Sequence, residues 1–391
     1  MESTNLQNYN AWSLALKIHE LSEVGSAEFK SSELIENILE KNGFKVERGY
    51  KGIPTSFRAE MTAGNGKPTI AFLAEYDALL GIGHACGHNL IAAANVFAAI
   101  DAAQKIKNGK IVVIGTPDEE GTGDYSGSKI LLADRGSFND IDLVLGAHPG
   151  SEWNVASQAL AVQDVEVTFK GRSSHEAANP EQGRSALDAA VLTYTAVNML
   201  RQHVRRDANV VMHGVIREGG GASNVTPDRS VLVFGIRSSD LNYHSVLMNR
   251  FENIVKGCCI ATETEYTMKR IGPLFSTVKV NRTLSDLLRD IIVSKGIDVP
   301  AVEESLKRLP GGSTDFANVT QVVPALEIHF QIAPSGTPWH SRQSLEAARS
   351  SEAKKPLANV IEVLSEAAQR YMNEPDLRKK IRNEFDEHPV S

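Results

Sequence analysis

Short apolar runs and helical periodicity alternate over the first 150 residues. Leu34 to Lys41 places apolar residues at helical spacing and stops at Asn42-Gly43, a pair suited to a helix C-terminus. Thr69–Ala74, Ile111–Gly115 and Asp142–Ala147 are apolar without alternation, and the alanine-rich stretch Asn89–Gln104 reads as a helix able to lie close on a sheet. Unalternating strands separated by helices predict a mostly parallel sheet covered on both faces. Near Ala159 the pattern changes. Val162–Phe169 alternates apolar and polar residues, and Ser185–Val204 is an amphipathic helix. Val210–Ile216 and Ser230–Ile236 are strands joined through the turn at Gly219-Gly220-Gly221, followed by a helix over Tyr243–Lys256 and a strand over Glu263–Ile271. That β-α-β-β-α-β order is the ferredoxin-like unit. The first pattern then resumes with a helix at Thr283–Ser294, a strand at Val323–Phe330 and a helix at Pro356–Tyr371. From Pro375 onward the chain is charged and reads as a surface helix with a loose end. The expected architecture is one α/β domain of 1–158 and 273–391, interrupted by a smaller α+β domain of 159–272.

Length and charge agree with two ordinary domains. A chain of 391 residues exceeds what one core usually serves. Its formal charge of -7 argues against nucleic acid, which wants a basic face. No apolar run reaches the length of a membrane span. Met1-Glu2-Ser3-Thr4-Asn5 lacks the charged and apolar regions of a signal peptide. Three cysteines, two of them adjacent at Cys258 and Cys259, make no disulfide framework and suit a reducing cytoplasm.

The polar residues collect at the strand ends. Thr69–Ala74 runs into Glu75-Tyr76-Asp77 and then Gly83-His84-Ala85-Cys86-Gly87-His88-Asn89; Ile111–Gly115 runs into Thr116-Pro117-Asp118-Glu119-Glu120-Gly121; Asp142–Ala147 runs into His148-Pro149. The carboxyl edge of a parallel sheet is where ligand sites form. A thiolate and an imidazole in Cys86-Gly87-His88 are good ligands for zinc or another borderline metal, and Gly87 allows the tight turn that faces both to one point. Alone, the triplet also fits a buried cysteine beside a solvent-facing histidine; the convergence favours a metal site. Of two adjacent carboxylates at a metal, one can ligate while the other takes a proton from water. His340, in Pro338-Trp339-His340-Ser341, is a further candidate, whereas His329 lies inside an apolar strand and reads as structural. The inserted domain offers His175 and His213, the latter read as an inward residue needing a hydrogen-bond partner, and Asn224, which turn chemistry alone would explain.

Together these residues resemble the metallopeptidase and amidohydrolase family of aminoacylases, carboxypeptidase G and aminobenzoyl-glutamate hydrolases. Ala74-Glu75-Tyr76-Asp77-Ala78-Leu79 with Gly83–Asn89, and Gly312-Ser313-Thr314-Asp315-Phe316-Ala317-Asn318-Val319, look most like its aminobenzoyl-glutamate hydrolase and β-alanyl-lysine dipeptidase branch. The resemblance implies a zinc-exopeptidase-type domain with a ferredoxin-like lid, two divalent ions (zinc or manganese), and a homodimer joined through the lid. Cys86 would bridge the ions, with His88, Glu120, His148 and His340 as the other ligands and Glu119 as general base. His213 would polarise the scissile carbonyl in the partner subunit's site. His175, Asn224 and the backbone at Gly311 and Gly312 would line the substrate site, with Arg308 a further candidate for its carboxylate. The implied reaction is hydrolysis of a small N-acyl amino acid, aminobenzoyl-glutamate-like conjugate or dipeptide. Many relatives bridge with aspartate where this chain has Cys86, and the chain is compact beside typical aminobenzoyl-glutamate hydrolase chains. A catalytically reduced binding protein on the same fold, or a redox role for Cys86, are the alternative readings.

Overall fold

The structure is a computed structural model that describes residues 9–387; the residues at Met1–Asn5 and beyond Glu387, read above as lacking a leader and as a loose end, lie outside them. The chain forms two compact units. One holds the residues up to Gln158, Val278–Leu309 and those from Thr314 on; the other holds Ala159–Thr277 with Pro310–Ser313.

The first unit opens with α1 (Ala11–Leu21), α2 (Phe29–Lys41), β1 (Lys45–Arg48), β2 (Phe57–Ala63), β3 (Thr69–Ala74), α3 (His88–Lys105), β4 (Gly109–Gly115), α4 (Ser128–Asp134) and β5 (Leu143–Gly150). The second unit follows with β6 (Ala161–Lys170), α5 (Ala186–Leu200), β7 (Val211–Glu218), β8 (Arg229–Ser238), α6 (Leu241–Thr262) and β9 (Glu265–Phe275). The chain then completes the first unit with α7 (Arg282–Ser294), α8 (Val302–Ser305), α9 (Phe316–Val322), β10 (Ala325–Gln331), α10 (Arg342–Ala347), α11 (Lys354–Asn373) and α12 (Pro375–Glu387).

The six strands of the first unit stand in the order β1-β2-β4-β3-β5-β10. β4, β3, β5 and β10 are parallel, while β1 and β2 close one side antiparallel. Every residue of β3 is buried, which explains its unalternating pattern. α3 covers one face of this sheet. Ala92, Ala93, Ala94, Ala98, Ala99, Ala102 and Ala103 are all buried in its core, so the helix backbone comes close to strand and helix neighbours with little side chain between. The antiparallel pair left little trace in the sequence: Lys45-Val46-Glu47-Arg48 is short and charged, a composition that protects a sheet edge from pairing with another chain.

In the second unit the four strands run antiparallel in the order β7-β8-β6-β9. Val165, Val167, Phe169, Met212, Phe234 and Ile236 turn one face of that sheet onto α5 and α6, and Phe251 and Cys259 complete the core from α6. The helix over Tyr243–Lys256 in the sequence reading is longer, so Cys258 and Cys259 are buried helix residues with free thiols. No helix among the described residues is long and apolar enough to cross a membrane.

Candidate active site

Two turns and the end of strand β5 in the first unit converge at the carboxyl edge of its parallel strands. The first leaves β3. Gly87 carries φ +84°, and a Cβ built there would stand 2.5 Å from Pro149 Cγ, so the turn between Cys86 and His88 requires glycine twice over. His88 then opens α3 with its side chain 1 % exposed, which rules out the reading of a solvent-facing histidine. Its Nδ1–H donates to Asp77 Oδ1 at 2.8 Å, leaving Nε2 with a free lone pair. The other Asp77 oxygen accepts the Glu120 backbone N–H at 3.0 Å. One carboxylate therefore orients a histidine and holds the loop that carries Glu120. Burial opposes charge on His88, but the adjacent Asp77 carboxylate and Cys86 sulfur outweigh it and raise the proton affinity of the ring.

The second turn leaves β4. Asp118 adopts a left-handed φ of +58°, and its carboxylate accepts from the N–H groups of Thr122, Gly123 and Tyr125 and from Ser26 Oγ. This closes a tight loop that aims Glu119 and Glu120 back toward the sheet edge. Behind it, Glu28 accepts the Asp118 N–H at 2.9 Å and the Thr55 hydroxyl at 3.0 Å. Burial, with the Asp77 charge adding to it, pushes the Glu28 carboxyl up from 4.5 to about 7. The folded chain thus holds a proton between those values that the unfolded chain has released, so stability falls as pH rises through that window, by about 3 kcal/mol in full. Glu28→Gln keeps an acceptor for Asp118 and donates to Thr55. Its melting temperature should exceed that of the parent at pH 8, with the gain shrinking toward pH 5; thermal unfolding at the two pH values checks this.

The third contribution comes from β5, which continues through His148 to Gly150 and pairs His148 with His329 of β10. His148 therefore sits on the strand rather than after it. Its Nδ1–H donates to the Pro149 carbonyl at 2.7 Å, and its free Nε2 lies 3.5 Å from Cys86 Sγ. Burial, then the charges that His329 and His88 can carry, lower its proton affinity, so the lone pair stays available. Burial lowers His329 from 6.5 to about 4. Burial likewise pushes the Cys86 thiol up to about 12, so an ionised sulfur there needs a cation beside it.

His340 reaches the same place from the loop before α10. It is half exposed and adopts φ +55°, a left-handed conformation uncommon outside glycine and held only where the surroundings enforce it. The neighbouring Trp339 does so: its indole N–H donates to the Cys86 carbonyl at 3.3 Å. His340 Nε2 then lies 3.6 Å from Glu120 Oε1.

The result is two donor triads that share Cys86: Cys86, His88 and His148, and Cys86, Glu120 and His340, with ligand atoms within 4.8 Å of one another in each. Two of the donor atoms, His88 Nε2 and Glu120 Oε1, are buried with no hydrogen-bond partner, which is costly unless a further group completes them. Two divalent cations fit this set: both buried imidazoles have their second nitrogen fixed by an acceptor, and thiolate, imidazole and carboxylate suit zinc or a similar ion. Asp77→Asn should therefore weaken metal affinity by roughly 10–100-fold without unfolding the chain, measured by chelator competition. Asp77 escaped assignment in the sequence because it stood in a three-residue acidic cluster with nothing to single it out.

Glu119 lies beside these donors, its nearest oxygen 3.9 Å from His88 Nε2. Burial, followed by the charges of Glu75 and Asp315, raises its proton affinity well above the usual carboxylate range. A carboxylate poised to accept a proton is what base work requires.

In the second unit the other candidates stand on two surfaces. His175 and Val225 form a β-bridge, and the Glu176 N–H donates to the Asn224 carbonyl at 3.0 Å, so His175 and Asn224 share one exposed turn pair. Gly312 accepts the Leu160 N–H at 2.9 Å, and side chains at Gly311 or Gly312 would meet open space. His213 is corrected by the structure. Met212 faces the helices, and a Cβ at Gly214 would strike the Phe234 ring, so the inward positions are even-numbered. His213 projects from the opposite, exposed face, across Gly235 from Asp164. In the first unit, Arg308 is engaged by Glu152.

A parallel α/β sheet with a histidine, cysteine and carboxylate cluster at its carboxyl edge is an architecture of metallopeptidases and amidohydrolases that cleave C–N amide bonds. Residues 71–370 match peptidase family M20/M25/M40, and the chain belongs to that family and is an amide-bond hydrolase. It is 35% identical over 345 residues to a Xaa-Arg dipeptidase of Mus musculus, covering 85% of this chain and 78% of the relative. It is 33% identical over 298 residues to one subunit of p-aminobenzoyl-glutamate hydrolase from Escherichia coli, covering 70% of this chain and 60% of the relative. Among solved structures, a dinuclear metal-binding peptidase of the M20 family from Bacillus subtilis shares the fold with a TM-score of 0.70 at 19% identity, over 93% of this chain and 97% of that one.

Proposed function

We propose that the chain is a two-metal hydrolase of small amides that release a free amino acid, with dipeptides and N-acyl amino acids as its substrates. The observation that carries this reading is the pair of donor triads sharing Cys86, with two of their buried atoms lacking a protein partner. Cys86 would serve both ions, with His88 and His148 completing one seat and Glu120 and His340 the other. When bound, divalent ions would polarise the substrate carbonyl and lower the pKa of water toward about 7. Glu119 takes the proton of the attacking water and returns it to the leaving amine. His213 stabilises the developing oxyanion in a partner's site, and His175, Asn224 and the Gly311–Gly312 backbone hold the substrate's carboxylate. A Glu119 retained beside a full donor set speaks against a catalytically reduced binder.

The substrate class rests on relatives. The name Xaa-Arg dipeptidase suggests dipeptides with a basic C-terminal residue, and the aminobenzoyl-glutamate relative suggests aryl amides of glutamate. The test is a panel of Xaa-Arg, Xaa-Lys, Xaa-Glu and N-acyl amino acids, scored by released amine on protein loaded with zinc or manganese. Release from none of them would overturn the reading. We further infer a cytoplasmic homodimer joined through the second unit. If His213 serves in trans, mixed His213→Ala and Glu119→Gln chains should recover up to about a quarter of parent activity on subunit exchange, since one of the two sites in a mixed dimer is intact. No recovery after exchange proven by mass would refute that service.

A further inference from the structure

Glu75 has a place in the site that neither the motif nor the two triads account for. It ends β3's run into the cluster, is 2 % exposed, and its two oxygens are differently employed. Oε1 lies 2.8 Å from Lys129 Nζ. Lys129 is completely buried, its ammonium 2.5 Å from Asp315 Oδ1, while its backbone N–H donates to Asp315 Oδ2 at 3.1 Å. The start of α4 and the start of α9 are thereby clamped together, and the clamp fixes the rotation of the Glu75 carboxylate. Oε2 is left pointing at His88 Nε2, 3.4 Å away.

That separation is informative. A charge-assisted N–H···O⁻ bond closes to about 2.7–2.9 Å, and this pair does not. His88 Nε2 is buried without a hydrogen-bond partner. Two donor atoms fixed about 3.4 Å apart, neither bonding the other, are spaced as two ligands on one cation with bonds near 2.1 Å would be. A third donor is at hand: oxygens of Glu75 and Glu119 and a nitrogen of His88 all lie within 4.8 Å of one another. A ligating carboxylate whose second oxygen is held by a buried ammonium is a usual way of orienting such a ligand.

We propose that Glu75 is a metal ligand, presenting Oε2 to the same cation as His88, and that Lys129 and Asp315 are the positioning residues that hold it there. This rests on the two-metal reading above. It gives Lys129 a purpose in the site: a cation inside a cation-binding cluster would weaken binding by its charge alone, and here it serves by fixing one oxygen while leaving the other free.

The experiment measures metal rather than turnover. Parent, Glu75→Gln and Glu75→Asp chains are stripped, then titrated with zinc against a chromophoric chelator, and loaded in parallel with cobalt for visible absorption. Gln offers its carbonyl to Lys129 and turns an NH₂ toward the cation; Asp keeps the charge but draws the free oxygen back by one methylene. Both variants should bind one of two ions at least about tenfold more weakly, with an altered cobalt spectrum, and circular dichroism should match the parent. If either folded variant binds two ions within twofold of parent affinity and with the parent spectrum, Glu75 is no ligand. If the parent itself binds no divalent ion, it is the two-metal reading that falls.

Discussion

Replacing Glu119 by glutamine is expected to lower kcat by roughly 10²–10⁴, the usual worth of a positioned general base, while both metal ions stay bound. The amide is nearly isosteric and cannot take a proton from water. KM should change little, because Glu119 is assigned no role in holding the ground-state substrate. The pH profile should change too. A base must be deprotonated to act, so an acid limb of kcat/KM set by Glu119 should be missing from the residual activity of the variant. Elemental analysis and steady-state kinetics on one preparation settle the matter. A variant that keeps its metal and most of its rate would remove Glu119 from the reaction.

The second large effect is at Cys86. Its sulfur is the one donor common to both triads, so Cys86→Ala takes a ligand from each cation at once. Loss should exceed the roughly 100-fold that an outer orienting partner can account for, and metal content after gel filtration should fall below one ion per chain. The fold should survive, since Cys86 leaves a small gap at a turn already fixed by Gly87 and by the Trp339 bond to the Cys86 carbonyl. Cys86→Asp is the informative companion: it restores an anionic donor and should recover part of the metal. Unchanged stoichiometry in the alanine variant would end the case for a bridging sulfur.

What could be read from the chain alone followed from where the chemistry falls. Each candidate cluster stood at the end of an apolar run, and a parallel sheet brings such ends to one edge; that Cys86, His88, Glu120 and His148 come together was legible for that reason. Lys129 was not. In sequence it is an ordinary charged residue at the start of a short helix, and only tertiary packing buries it between Glu75 and Asp315. Asp77 and Glu28 were hidden similarly, being acids whose partners lie on other elements. His213 was read facing the wrong way because apolar residues occupy both phases of its strand, at Val211 and Val215 as well as Met212 and Ile216. The missing clue was Gly214, whose lack of a side chain makes room for the Phe234 ring. The edge strand β1 went unread because charge had replaced the apolar signal, and β2, paired between β1 and β4, was passed over although Phe57, Ala59, Met61 and Ala63 alternate with polar residues.

His340 differs from the other donors in how it is mounted. Cys86, His88 and His148 are carried by buried turn, helix and strand, whereas His340 hangs on an exposed loop in a backbone conformation that needs Trp339 to hold it. Two cations seated in such unequal cradles would not exchange with solvent at one rate. The one that depends on His340 would leave first and return first, so the inventory of ions in a resting molecule would follow free metal in its surroundings at one seat while the other stayed filled.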